Sequence, residues 1–73
     1  MNIYRFHHNG SVVTYFDNLK KCAAAIKAVI DQHKELEPKL IMNYQQGNKT
    51  VIIYQYWTNY IEMFLIEEIE KGG

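Results

Sequence analysis

Three histidines, one cysteine and one serine are the residues of this chain with the most chemical potential. His7 and His8 are adjacent. In a strand they point to opposite faces and cannot hold one metal ion together. His33 stands near the end of a helical pattern, where a ring that takes up a proton is stabilised by the helix dipole. Ser11 follows an Asn9-Gly10 turn and lies across the hairpin from His8. That is the spacing of a serine–histidine pair, but no third orienting group and no oxyanion donors accompany it. Cys22 has no second cysteine to pair with, so it reads as a small buried thiol. The glycines sit at turns and at the terminus and form no phosphate loop. Glu67, Glu68 and Glu70 read as a solvated face. No catalytic group, cofactor or metal site is expected, and the chain is read as a non-enzyme.

The stretch that organises the rest is the helix expected from Asp17 to His33. Asp17 is the expected N-cap, its carboxylate accepting from free N–H groups of the first turn. Leu19, Ala23, Ile26 and Ile30 recur at helical spacing, and Cys22 and Val29 widen the stripe. Lys20, Lys27, Asp31 and Lys34 lie mostly outside it. Ala23, Ala24 and Ala25 favour the helix and permit close approach to what lies beneath. The helix is therefore expected to pack on a sheet.

Around it the chain reads as two hairpins. Ile3 to His8 and Ser11 to Phe16 are strand formers joined by Asn9-Gly10, both tolerant of positive φ. Pro38 ends the helical region. Lys39 to Gln45 and Thr50 to Trp57 form the second pair, around a polar turn at Gln46 to Lys49. Thr58 is expected to cap a second helix from Asn59 to about Glu70. The expected fold is α+β, ββαββα: a four-stranded antiparallel sheet from two hairpins with two helices on one face. Tyr15-Phe16-Asp17-Asn18-Leu19 is similar to Tyr56-Trp57-Thr58-Asn59-Tyr60, which would suit a duplicated unit.

Strand alternation then sorts the side chains into two sets. Ile3, Arg5, His7, Val12, Thr14, Phe16, Leu40, Met42, Tyr44, Val51, Ile53 and Trp57 form the expected helix-facing core. Tyr4, Phe6, His8, Val13, Tyr15, Ile41, Asn43, Gln45, Ile52, Tyr54 and Tyr56 form the open face. The reverse assignment would bury the tyrosines and require partners for their hydroxyls. In the second helix Tyr60, Ile61, Met63, Phe64, Leu65, Ile66 and Ile69 cover more than one stripe, as if it were buried on two sides. Glu67 and Lys71 are spaced for an i,i+4 pair.

Length and charge set the frame. At 73 residues the chain is a single domain with a thin stability margin. Eight basic and eight acidic side chains cancel, so net charge steers no acidic partner. The basic excess lies before residue 41 and the acidic excess after it, a split compatible with two-fold self-pairing. No signal peptide or membrane-crossing run is read in the chain, and a cytoplasmic location is expected.

These readings point to a protein-binding module, a homodimer or a small inhibitor of the kind that phages and mobile elements encode. The expected contact residues are Tyr4, Phe6, Tyr15, Tyr54, Tyr56, Tyr60 and Met63. The alternative is single-stranded nucleic acid stacking on Tyr4, Phe6, Tyr15, Tyr54 and Tyr56, opposed by the scarcity of cations beside the strands. A third reading is a very small enzyme or ligand binder formed across a dimer, with His7 or His8 at the seam.

Overall fold

The computed structural model describes residues 2–70. Strand β1 (Asn2–His8) and strand β2 (Ser11–Phe16) precede helix α1 (Leu19–Asp31) and a short 3-10 turn (Lys34–Leu36). Strands β3 (Lys39–Gln46), β4 (Lys49–Gln55) and β5 (Ile61–Glu70) follow. All five strands form one antiparallel sheet in the order β2-β1-β5-β4-β3.

Both expected hairpins form. Asn9 and Gly10 take φ values of 50° and 89°, the two positive positions of a type I′ turn. Gly47 alone of its turn pair takes positive φ, the position a type II′ turn asks of glycine.

The expected ββαββα fold is corrected to ββαβββ, with five strands and one helix. The segment expected as the second helix is β5, the central strand of the sheet. The apolar run that is too wide for one helical stripe is what this central strand carries, apolar side chains on both faces. Phe64 and Ile66 are buried on one side, and Leu65 and Ile69 are half-buried on the other. The sheet also supplies the reason. Hairpin β1–β2 and hairpin β3–β4 each have two outer edges of unpaired N–H and C=O groups, and the inner pair, on β1 and β4, face each other across a gap one strand wide. β5 closes both, pairing with β1 from Asn2↔Glu70 to His8↔Phe64 and with β4 from Lys49↔Glu67 to Gln55↔Ile61. A helix there would satisfy neither edge. Thr58 accordingly caps no helix. It lies in a tight loop where the Tyr56 N–H donates to the Tyr60 carbonyl at 2.9 Å and Asn59 takes φ 68°. The apparent duplication has no structural counterpart, because one five-residue segment enters a helix and the other turns a hairpin. Glu67 is held by Arg5 across the sheet, and its expected partner Lys71 lies outside the described residues.

Helix α1 is shorter than Asp17 to His33 at both ends. Asn18, not Asp17, is the N-cap: its side-chain oxygen accepts from the Lys21 N–H at 2.9 Å. Asp17 instead pairs with Lys21 through its carboxylate at 2.9 Å. His33 lies beyond the helix and precedes the 3-10 turn.

The face assignment is largely the reverse of the first expectation, although Thr14, Phe16 and Leu40, expected on the helix side, do lie there. Phe6, Tyr56, Phe64 and Ile66 pack with Cys22, Ile26 and Ile30 of α1 to form the core, with Tyr4, Phe16, Ile52 and Tyr54 against it. Tyr44, Met42 and Trp57, expected beneath helices, are exposed. Two irregularities explain why the reversal is incomplete. Between Phe6 and His7 the β1–β2 register shifts, so Val13 is extra. From there on Thr14 and Phe16 share the face of Phe6 and Tyr4, while Tyr15 joins Arg5 on the other. Ile41 is similarly extra on β3. The rest follows from β5, whose Phe64 and Ile66 complete the apolar layer that α1 covers.

Candidate interaction surface

Among the described residues no element covers the sheet face away from α1. Reading across from β5, Leu65 lies opposite Val51 and Met63 opposite Ile53. Val51 in turn lies opposite Tyr44, and Ile53 opposite Met42. Residues directly opposite share a face, so these six side chains make one contiguous patch over β5, β4 and β3. Tyr44, Met42 and Met63 are exposed, and Val51, Ile53 and Leu65 half-buried. All eight residues of edge strand β3 are exposed.

A charged row borders the patch. Glu67 lies opposite Arg5 on one side and Lys49 on the other. Arg5 Nη1 donates to Glu67 Oε1 at 3.1 Å, and His7 Nε2 lies 3.4 Å from the same oxygen. The Arg5 guanidinium sits 5.7 Å from the Tyr15 ring centre, a cation–π distance. Arg5 Nε is buried without a hydrogen-bond partner among the described residues.

The seven expected contact residues do not converge on this face. Phe6 and Tyr56 are core residues beneath α1, and Tyr4 and Tyr54 are half-buried on the same side. Tyr15 and Met63 are exposed on the open face, Tyr15 at the end of the charged row opposite Arg5 and Met63 within the patch. Tyr60 is exposed in the β4–β5 loop and stacks on Tyr56 with ring centres 6.0 Å apart. The patch that does form was hidden by the swapped faces. Its signal was present in the alternation of Leu65, Met63 and Ile61 with Ile66, Phe64 and Glu62, once that segment is taken as a strand.

The α1 side carries a second feature, a polar knot around Glu62. This carboxylate, 4% exposed, is the buried charged group of the core side. Its Oε2 is met by His8 Nε2 and by Asn9 Nδ2, the latter at 3.1 Å. Its Oε1 faces the Tyr56 hydroxyl at 3.5 Å and His33 Nε2 at 4.0 Å. Burial, and then the neighbouring Glu62 charge, push the Tyr56 hydroxyl up to about 12. Asn9 extends the β1–β5 pairing by one residue, donating its N–H to Met63 O and accepting from Met63 N through Oδ1. A small recess of about 180 Å³ opens beside the knot, lined by His33, Leu36, Tyr56, Tyr60 and Glu62. A larger groove of about 570 Å³ runs between α1 and strands β3 and β4, past Leu19, Ala23, Lys27, Asn43, Gln45 and Ile52.

Ser11 pairs with His8 across the hairpin as expected, but the His8 ring nitrogen Nε2 is engaged by Glu62. Cys22 is fully buried, and burial raises its thiol pKa, which suppresses the reactive thiolate. Among the described residues no group of three or more His, Cys, Asp or Glu side chains is placed to hold a metal ion. No described helix is long and apolar enough to cross a membrane.

The fold and surface define a small α+β domain with one helix on a five-stranded sheet. No protein-family model, curated protein or solved structure matches the chain.

Proposed function

We propose that this chain is a small non-enzymatic protein-binding module that docks through the open face of its sheet, and that the occupant is a second copy of itself. The observation that carries the reading is the patch formed by Met42, Tyr44, Val51, Ile53, Met63 and Leu65. A continuous apolar surface of this kind, rimmed by charge, is the ordinary signature of an interface. A two-fold axis lying in the interface, parallel to the two sheets, sets the patch of one copy against the same patch of the other. The bordering row of Arg5, Glu67 and Lys49 alternates in sign, so a facing copy can set opposite charges against one another. The formal net charge is zero, so no long-range repulsion opposes approach. Packing two twisted sheets face to face is an established arrangement.

An inhibitor role belongs to the same reading, as does a phage or mobile-element source. A target protein would compete with the second copy for this face. A reducing cytoplasm suits the single unpaired thiol.

Light scattering at two concentrations tests the proposal, with the paired substitution Met42→Lys and Met63→Lys as the control. The native chain is expected to shift toward dimer as concentration rises, and the variant to stay monomeric while folded. A native chain that remains monomeric at every concentration ends it. The nucleic-acid alternative has lost its shared platform, because Phe6 and Tyr56 lie in the core and Tyr15 faces away from both. A salt-dependent signal with a labelled oligonucleotide would restore it.

A further inference from the structure

The recess beside Glu62 lies on the opposite side of the sheet from the open face, and its argument is independent of that face. Glu62 is buried, with its side chain 5% exposed. One of its oxygens is well served, by His8 and Asn9. The other, Oε1, has only the long 3.5 Å contact with the Tyr56 hydroxyl and stands 4.0 Å from His33 Nε2. Those separations are too long for good hydrogen bonds to a carboxylate. Among the described residues no lysine or arginine nitrogen lies within 4.0 Å of Glu62.

The recess is built for a small cation. Its polar atoms, a carboxylate oxygen, an imidazole nitrogen and a phenol oxygen, can all accept. Its walls are the rings of Tyr56 and Tyr60, stacked with planes 18° apart, and the His33 ring set edge-on to Tyr56. Its volume of about 180 Å³ is roughly six times the share of one liquid water molecule. Tyr60 is 56% exposed and lines the recess, so the site is reachable from solvent.

We propose that this recess binds a primary ammonium group. An ammonium carries three N–H donors, which matches three acceptors around one small space. It also brings the positive charge that Glu62 Oε1 lacks. A quaternary ammonium has no donor to give, and a guanidinium is planar and broader. A free alkylamine and a lysine side chain of another protein share this chemistry.

The test is titration of isotope-labelled full-length chain by NMR, reading the ring signals of His33, Tyr56 and Tyr60. The probes are methylammonium, tetramethylammonium and sodium chlorides at matched ionic strength, and Nα-acetyllysine amide. Saturable shifts confined to the recess are expected with methylammonium in the millimolar range, the range open to so small a ligand. Tetramethylammonium and sodium should give none. Glu62→Gln should weaken binding at least tenfold. Because Glu62 is buried, Tyr60→Ala, in an exposed loop, serves as a second variant and should weaken binding several-fold with dispersion of the amide spectrum retained. Tighter binding of acetyllysine amide than of methylammonium would assign the site to a lysine side chain, and the reverse order to a free amine. Linear, non-saturating shifts, equal shifts with all three salts, or unchanged binding in the Tyr60 variant would overturn the proposal.

Discussion

The His8 ring lies flat on the Phe64 ring, with centres 5.0 Å apart and planes 7° from parallel, while its Nε2 meets the carboxylate of Glu62. Fifty-four residues separate His8 from Glu62. The pairing of β1 with β5 sets His8 directly beside Phe64, and strand alternation puts Glu62 on the same face two residues away. Phe64 is fully buried and also touches Phe6 at 5.9 Å between ring centres. The central strand thus joins the apolar core to the polar knot.

Phe64→Ala should therefore be among the most damaging single changes. It removes a fully buried aromatic ring and leaves a cavity that the sheet cannot close. A loss of about 3–5 kcal/mol is expected, read as a lower urea midpoint. A small domain has little margin beyond that.

Glu62 and His8 should behave as a coupled pair. His8→Ala strips a donor from a buried carboxylate and is expected to cost about 1–3 kcal/mol. Replacing both residues with apolar ones should cost less than the sum of the two single changes. A double-mutant cycle in urea measures this, and strict additivity would show that the two do not interact.

The Tyr56 hydroxyl makes stability depend on alkaline pH. Burial and the nearby Glu62 carboxylate raise it from 10.0 to about 12. Its contribution is complete below pH 10, where the phenol is neutral in both states. Between pH 10 and 12 the unfolded chain releases this proton while the folded chain keeps it, so stability falls as pH rises. Tyr56→Phe should flatten that part of the stability curve, checked by urea unfolding across the interval.

The start of α1 gives a local test. Asn18→Ala removes the side-chain acceptor for the Lys21 N–H and is expected to cost about 1 kcal/mol. Asp17→Ala removes an exposed ion pair with Lys21 and should change the melting temperature less. Equal effects would mean that both residues share the cap.

If the open face joins two copies, the melting temperature should rise with protein concentration, because association stabilises only the folded chain. Met42→Lys with Met63→Lys should remove that dependence. Both side chains are exposed, so the variant should keep the native circular dichroism.

What could be read from the residues alone was local. Asn9-Gly10 specifies its turn through backbone freedom at two neighbouring positions, and the stripe of Leu19, Ala23, Ile26 and Ile30, widened by Cys22 and Val29, specifies α1 through spacing within a few turns, although the side it buries is that of Cys22, Ile26 and Ile30, with Leu19 and Ala23 exposed. Both hairpins and the helix follow from such short-range terms. The segment from Ile61 to Glu70 is different. Its apolar residues satisfy a broad helical arc and a two-sided strand alike, and no neighbour in sequence decides between them. The decision comes from the edges of β1 and β4, whose backbone groups an inserted strand pairs at once on both sides. That insertion brings Phe64 and Ile66 under α1, turns the Met63 and Leu65 face outward and carries Glu62 to His8. The interaction surface and the polar knot are therefore products of long-range pairing, because hydrogen-bond satisfaction across the whole sheet outweighs the local pattern of any one strand.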